Sequence, residues 1–197
     1  MTDLNPISPS FQLILDTAEQ LIGEKGCRQT TLQDIIDRTG LSKGAIYHYV
    51  SGKDELFGLI LKTKMQTMNE KFNGVVGDAA PREAAGPIRF IMEGMASQTG
   101  DQHVSNKIFT YLLSQIENPK VAAVLQGVYE YSIQTAHQWI SVGQQAGAIP
   151  PEVDAVKMAE LFMVFTYGLR VQSVILKDEE RQFGWEDVYK LISRSLL

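Results

Sequence analysis

The 197-residue sequence contains a single cysteine, Cys27, so the chain cannot form an internal disulfide. One unpaired cysteine is ordinary in the reducing cytoplasm. The sequence also lacks an apolar run of the roughly 18 residues that a membrane span needs, since its longest run, at 161–169, is interrupted by polar residues and glycine. The N-terminal segment has neither the basic nor the apolar region of an export signal. These absences predict a cytoplasmic protein without a membrane span.

Motifs of catalysis and metal binding are missing as well. The three histidines, His48, His103 and His137, include no pair at i and i+4, and there is no second cysteine, so a metal site lacks ligands. No glycine-rich phosphate loop and no G-x-S-x-G motif is present. We therefore predict no metal and no cofactor, and an enzyme is the disfavoured alternative.

Positive charge is scarce, because 18 basic residues face 23 acidic ones and the net charge is −5. This balance excludes a protein that coats nucleic acid through bulk positive charge. Residues 1–55 alone hold five basic and eight acidic residues, a net charge of −3. Any affinity for nucleic acid must therefore come from a few well-placed groups.

Helical periodicity dominates the chain, and little of it alternates like a strand. Proline and glycine mark the boundaries of about nine helices. The predicted helices cover residues 10–25, 30–39, 42–50, 53–72, 87–97, 104–116, 118–146, 154–177 and 185–195. We therefore predict an all-α fold, with a three-helix N-terminal head at 1–55 and a larger helical-bundle body at 56–197.

Residues 30–56, TTLQDIIDRTGLSKGAIYHYVSGKDEL, form two short amphipathic runs joined at Gly40. A helix, a tight turn with glycine and a second helix make a helix-turn-helix, whose second helix enters the DNA major groove. Ser42 is a good N-cap for this second helix, and Ile46 can join a small core with the first. The remaining polar face of the second helix is then left uncovered.

The residues on that uncovered face are of the kinds that contact DNA. Gly44 and Ala45 are small enough for close approach to base edges, and Lys43 can donate to guanine acceptors. Tyr47 and Tyr49 carry hydroxyls at the reach of phosphate oxygens. Tyrosine and histidine on a short helix are more often simply packed. However, a helical interaction module or small-molecule-binding protein without DNA binding would leave the whole pattern unexplained.

The same stretch closely resembles the N-terminal domain of TetR-family transcriptional repressors. That family has a threonine pair, then G-[VL]-S-[KR]-G-[TA]-[IL]-Y-x-[YH]-[FV], then x-x-K-[DE]-x-L. This sequence has threonines at 30–31, GLSKGAIYHYV at 40–50 and SGKDEL at 51–56. The resemblance covers about residues 10–60. Cys27 replaces a usual aromatic and Val50 a common phenylalanine, and we interpret both as core substitutions.

The resemblance implies a homodimeric repressor that binds a palindromic operator in double-stranded DNA and is released by a small-molecule effector. By position, the family's phosphate contacts match Thr31, Tyr47, Tyr49 and Lys53. Its base-reading segment matches Lys43, Gly44, Ala45 and His48, and the N-cap Ser42 just before them is also a candidate DNA contact. The long helix that begins near Lys53 is the only obvious connection between head and body.

The family dimerises through its last two long helices, which match 154–177 and 185–195. The first of these is apolar around most of its circumference, and such a helix must be covered on two sides. The predicted interface residues are Leu161, Phe165, Gly168, Leu169, Gln172, Trp185 and Leu191.

An effector pocket is expected between the middle helices. The candidate lining residues, each of which can equally be plain core, are Met92, Met95, Phe109, Leu113, Tyr129, Ile133, His137 and Phe162. A pocket of this composition is mostly apolar, which predicts a hydrophobic or aromatic effector and admits a cationic one.

Overall fold

The computed structural model of the protein describes residues 8–78, 85–100 and 103–196. Within these residues the chain forms nine α-helices and no strand, which confirms the all-α prediction. The helices are α1 (Pro9–Gln29), α2 (Leu32–Thr39), α3 (Lys43–Tyr47), α4 (Lys53–Asp78), α5 (Ala85–Thr99), α6 (Val104–Leu113), α7 (Pro119–Gln145), α8 (Ala155–Ile175) and α9 (Trp185–Leu196). None of the described helices is long and apolar enough to cross a membrane.

Most predicted helix boundaries hold to within a few residues, and the largest difference is at the end of α4. This helix continues to Asp78 instead of ending at residue 72, although asparagine and glycine follow Phe72. Phe72 is buried in the body and Val76 packs beside it, so tertiary contacts outweigh the weak local propensity. Helices α3 and α6 end at Tyr47 and Leu113, each three residues earlier than predicted, and a turn follows each of them.

Local capping explains the three helices of the head. Gly26 adopts a left-handed φ of 78° and breaks α1 one turn before its end, as its position after Lys25 predicts. Thr31 and Asp34 form a capping box at the start of α2, and Gly40 ends α2 with a φ of 69°. Both glycines occupy a backbone region that side chains with a Cβ rarely adopt.

The apolar residues of the head belong to one cluster, which we call the head cluster. It contains Ile14 and Ile22 of α1, Ile35 of α2 and Ile46 of α3, each fully buried. The cluster also includes residues from α4, α6 and α7, among them Leu56, Ile108, Leu112 and Val121. The head therefore completes its core with residues from the body.

A second cluster, the body cluster, lies between the second half of α4 and helices α5, α7, α8 and α9. Met68, Phe72, Trp139, Phe162 and Met163 are among its buried members. The indole N–H of Trp139 donates to Asn69 Oδ1 at 2.7 Å, so the large aromatic is buried with its polar group satisfied.

Helix α6 contacts both clusters. Ile108 and Leu112 are fully buried in the head cluster. On another face of the helix, the Phe109 ring stacks on Tyr167 of α8 at a centroid distance of 4.9 Å. The sequence predicted α4 as the only obvious connection between head and body, and the structure adds α6 and also α7, which has Val121 in the head cluster and Trp139 in the body cluster.

Cys27 lies in the head cluster with 6% of its surface exposed. Burial raises the pKa of its thiol to about 11, although the Lys53 charge opposes this rise. The thiol is therefore protonated at neutral pH and packs as a small apolar group, since the thiolate is the reactive form.

Candidate nucleic-acid interface and internal cavity

Helix α3 is held by one buried residue and presents polar groups to solvent. Ile46 is fully buried, and the Ser42 hydroxyl caps the helix by accepting from Ala45 N at 3.2 Å. The surface around it, which we call the α3 surface, consists of the exposed residues Ser42, Lys43, Gly44, Tyr47 and His48. Five residues predicted to contact DNA are thus brought together.

The α3 surface is open at its N-terminal end. A Cβ added to Gly44 would meet only the Ser42 hydroxyl, at 3.9 Å. The Lys43 ammonium lies 5.5 Å from the centroid of the Tyr47 ring, so a cation and a phenol project side by side. Ala45 is half-buried, and Thr31 is exposed at the start of α2. The arrangement allows close approach of a nucleic-acid groove to the helix backbone.

Tyr49 is engaged within the head. Its hydroxyl lies 2.8 Å from Ser8 Oγ, and its ring stacks on Phe11 with a centroid distance of 4.7 Å. These contacts join the end of α3 to the start of α1 and fix the angle at which α3 is presented. The predicted phosphate contact by Tyr49 would share its hydroxyl with this helix–helix contact.

Lys53 has a structural role that the sequence reasoning missed. Its ammonium donates to the carbonyl oxygens of Cys27 at 3.1 Å, Arg28 at 3.1 Å and Thr30 at 3.2 Å. These bonds use all three N–H groups of the ammonium and satisfy the open carbonyls at the end of α1. A phosphate contact by Lys53 stays a prediction, and it would require some of these bonds to be exchanged.

Two other basic residues of the head pair with carboxylates. Lys25 lies 2.7 Å from Asp34, and Arg38 lies 2.6 Å from Glu24, so both pairs join α1 to α2. Hydrogen bonding by Lys25 and Thr31 holds the pKa of Asp34 well below its usual range, and Arg38 lowers the pKa of Glu24. Both carboxylates are therefore charged at neutral pH and offset their cations.

An internal cavity of about 30 Å³ lies between α4, α5, α6, α7 and α8. Its lining residues are Leu61, Met65, Met68, Met95, Phe109, Val128, Ser132, Met163, Thr166, Tyr167 and Arg170. The volume is that of about one water molecule, whereas drug-sized ligands occupy roughly 300 Å³ or more. A ligand would have to displace the lining side chains.

Two of the predicted pocket residues, Met95 and Phe109, line this cavity. The other described candidates do not line the cavity. Phe162 packs near Trp185, and Tyr129 contacts Tyr167 from outside the cavity lining. Leu113 is 42% exposed, and neither Ile133 nor His137 is among the lining residues. The side chain of Met92 lies outside the described residues. The sequence missed the α4 methionines and the polar residues of α8, because a helix apolar all round does not reveal its inward face.

Arg170 is the charged residue of this cavity. It lies on α8 with 7% of its surface exposed, and its guanidinium carbon lies 5.6 Å from the centroid of the Phe109 ring. Its buried Nη1 has no hydrogen-bond partner among the described residues.

One face of α8 is apolar and open to solvent. Along it run Leu161, Val164, Gly168, Val171 and Ile175, a set that we call the α8 stripe. Val164 is 65% exposed and Ile175 is 71% exposed, and Leu191 of α9 is 45% exposed. The predicted interface needs one correction, at Leu169, which is only 8% exposed and belongs to the body cluster.

The other predicted interface residues lie beside the α8 stripe and are half-buried. Phe165 stacks on Phe183 at 6.2 Å, and Trp185 packs against the body cluster. Gln172 is half-buried on α8.

Comparison with known proteins agrees with this geometry. The family model of the bacterial regulatory proteins of the tetR family matches residues 14–60, which include α2 and α3. The HTH-type transcriptional regulator UidR of Escherichia coli is 22% identical over 162 residues, 82% of this chain and 80% of that protein. The HTH-type transcriptional repressor KstR2 of Mycobacterium tuberculosis is 26% identical over 149 residues, 72% of this chain and 70% of that protein.

Solved structures have the same overall fold. Salmonella enterica GusR superposes with a TM-score of 0.62 at 21% identity, and 98% of each chain is covered. A complex of SmeT with triclosan superposes with a TM-score of 0.65 at 16% identity, covering 95% of this chain and 90% of that one. At these identities the likeness establishes the fold alone.

The contrast between Lys43 and Lys53 gives a first prediction. Lys43→Met should weaken binding to random-sequence duplex DNA and reduce the magnitude of the slope of log affinity against log salt by about one per subunit, with unchanged thermal stability. Lys53→Met should instead lower the free energy of unfolding by about 1.5–3 kcal/mol, because three carbonyls lose a charged donor. Fluorescence anisotropy and denaturant titration measure the two effects. Unchanged stability with a reduced salt slope in Lys53→Met would show that Lys53 contacts phosphate instead.

Proposed function

The chain belongs to the TetR family of DNA-binding transcriptional regulators, and we propose that it is a repressor that binds a palindromic operator as a homodimer and is released by a small molecule. The head, residues 1–55, reads the DNA, while the body, residues 56–197, dimerises and binds the effector. The observation that carries this proposal is the α3 surface, exposed on a helix whose buried face is locked into the head cluster. A regulator that binds a prokaryotic genome works in the cytoplasm.

Dimerisation follows from two physical requirements. The α8 stripe exposes a continuous apolar face, which a partner helix would remove from water. In addition, α3 has only five residues and the head is net negative, so one head makes few contacts with DNA and gains nothing from bulk charge. Two heads related by a two-fold axis would read half-sites about one helical turn, roughly 34 Å, apart or somewhat more.

The cavity between α4 and α8 supports an effector site. This chain shares its overall fold with SmeT, a protein whose structure was solved as a complex with triclosan. Four methionines line the cavity, and their flexible side chains can move aside for a ligand.

Helix α6 couples the effector site to the head. Phe109 of α6 lines the cavity, and the hydroxyl of Tyr111, two residues on, donates to Asp54 Oδ1 of α4 at 3.1 Å. The Tyr111 ring also packs on Phe57 with a centroid distance of 5.7 Å. Displacement of α6 by a ligand would therefore shift the start of α4 and change the separation of the two heads. A coupling free energy of about 1–3 kcal/mol would change DNA affinity by roughly 5- to 150-fold.

Selection of DNA fragments from the source genome with the purified protein tests the proposal. We expect enrichment of a palindromic sequence, and a subsequent screen of small molecules should identify compounds that release it. Enrichment of no sequence over several rounds, with a correctly folded protein, would contradict a role as a sequence-specific repressor.

A second prediction concerns base reading at Gly44. Gly44→Leu should abolish operator binding, because the added side chain projects from the helix that enters the groove. The fold should remain intact, since only the Ser42 hydroxyl lies near the new Cβ. The matched control is Gly74→Leu, at an exposed position of α4 with no heavy atom near its Cβ, which should bind normally. Normal operator affinity in a folded Gly44→Leu variant would show that another segment reads the bases.

A third prediction concerns the α8 stripe. Val164→Glu should give monomers and weaken operator binding by about 100-fold or more, because the avidity of two linked heads is lost. Sedimentation and anisotropy measure the two effects. Ile116→Glu, which places a charge at a 45% exposed apolar residue outside the stripe, is the control and should remain dimeric. A wild-type monomer that binds its operator tightly would refute the dimer.

A further inference from the structure

The buried guanidinium of Arg170 is the feature of the body that the proposed function leaves unexplained. Arg170 lines the cavity, yet none of the other ten lining residues is acidic. The described residues also form no salt bridge with it within 4.0 Å, although seven other ion pairs occur among them. A buried charge without a counter-ion is costly unless something else supplies the opposite charge.

The charge on Arg170 persists despite its burial. Burial lowers the pKa of the guanidinium to about 10, while the nearby Tyr167 opposes this change, so the group stays protonated at neutral pH. His103 lies near Arg170, and its pKa is lowered by burial and then by the charges of Lys64 and Arg170. The ring of Phe109 provides a partial compensation through its negative face. Phe109 does not satisfy the buried Nη1–H group, which has no described partner.

The other residues that line the cavity are mostly apolar, which indicates that a ligand would need an apolar part. Four of the chain's seven methionines line the cavity, namely Met65, Met68, Met95 and Met163. A leucine, a valine and a phenylalanine complete the apolar part of the lining. The hydroxyls of Ser132 and Thr166 donate to backbone carbonyls of their own helices, at 2.9 Å each. The cavity therefore combines a deformable apolar wall with one cation that has no acidic partner in the part of the chain that the structure describes.

We propose that the effector is an amphipathic monocarboxylate, whose carboxylate pairs with Arg170 and whose apolar chain or ring lies among the methionines. The proposal rests on the proposed function only in taking this cavity as the effector site. One carboxylate neutralises one guanidinium and matches its planar fork of donors. A phosphate monoester would leave excess negative charge in an apolar cavity, and a cation would add to the buried positive charge. Cationic effectors, which the sequence alone admits, are thereby disfavoured.

Arg170 also contacts α6, so that binding of an anion to it can affect the head through that helix. Its guanidinium rests on Phe109 of α6, and its carbonyl oxygen accepts from Asn106 Nδ2 of the same helix at 3.3 Å. A carboxylate that draws the guanidinium away would change the contact of α8 with α6. Helix α6 is the element that contacts Asp54 at the start of α4.

Binding of matched probes to the full-length protein tests the proposal without DNA. The probes are decanoate, decanol and decyltrimethylammonium, and 2-naphthoate with 2-naphthalenemethanol, all below micelle-forming concentrations. We expect at least one carboxylate to bind about 10- to 100-fold more tightly than its alcohol in calorimetry, because it gains a charge-assisted hydrogen bond. The cationic probe should bind most weakly of the decyl set.

Variants identify the residue responsible. Arg170→Met should remove the preference for carboxylate over alcohol, and Arg170→Lys should retain part of it. The matched control is Arg89→Met, which removes an exposed arginine paired with Glu93 at the surface and should bind as the wild type does. No carboxylate preference in either probe set, or the same preference in Arg170→Met, would overturn the proposal.

A measurement without ligand provides an independent test. Arg170→Met should melt at the same temperature as the wild type or higher, because an unpaired buried charge is replaced by an apolar side chain of similar length. A clear fall in melting temperature would mean that the fold itself uses the charge, and the proposal would be overturned.

The outcomes also separate this proposal from the proposed function. Release of operator DNA by an uncharged or cationic compound, with no effect of carboxylates, would refute the monocarboxylate and leave the repressor standing. Carboxylate binding that depends on Arg170 without any operator binding would support the site and refute the repressor.

Discussion

The packing of α6 between the two hydrophobic clusters is the constraint on which the rest of the structure depends. Ile108 and Leu112 complete the core of the head, while Phe109, on another face of the same ten-residue helix, packs on Tyr167 in the body. The three head helices together are too small to bury a sufficient core of their own. Because one helix packs against both clusters, the core of the head depends on contacts that are distant in sequence.

The basic residues of the head and the buried arginine of the body lie in different electrostatic surroundings. In the head, carboxylates offset Lys25 and Arg38, and backbone carbonyls occupy Lys53, so Lys43 is the cation that the α3 surface presents. In the body, Arg170 is buried away from water, where a single charge interacts strongly with whatever enters the cavity. This acidic chain thus presents one local cation at the α3 surface and buries another beside the cavity.

Lys53 and Leu169 show what inference from the sequence did not foresee. The pattern KDEL locates Lys53 at the start of a helix, which is correct, but the three carbonyls that bind its ammonium come from residues 23 to 26 positions earlier. Leu169 belongs to a helix that is apolar nearly all round, and the sequence cannot distinguish its inward face from its outward face. In both cases the missing information is the direction in which a neighbouring helix lies, which hydrophobic periodicity does not contain.

The sequence by itself determined the helical class, most helix ends and the helix-turn-helix, because these depend on local interactions. Ser42, Thr31, Gly26 and Gly40 act through caps and backbone preferences within a few residues of themselves. Only the tertiary structure decided which side chains line the cavity, which face of α8 is open and that α6 serves both cores. These features arise from contacts between residues far apart in the chain, such as the contact between Phe109 and Arg170. The sequence shows that residue 170 is an arginine, but only the tertiary structure shows that its charge is buried beside a cavity.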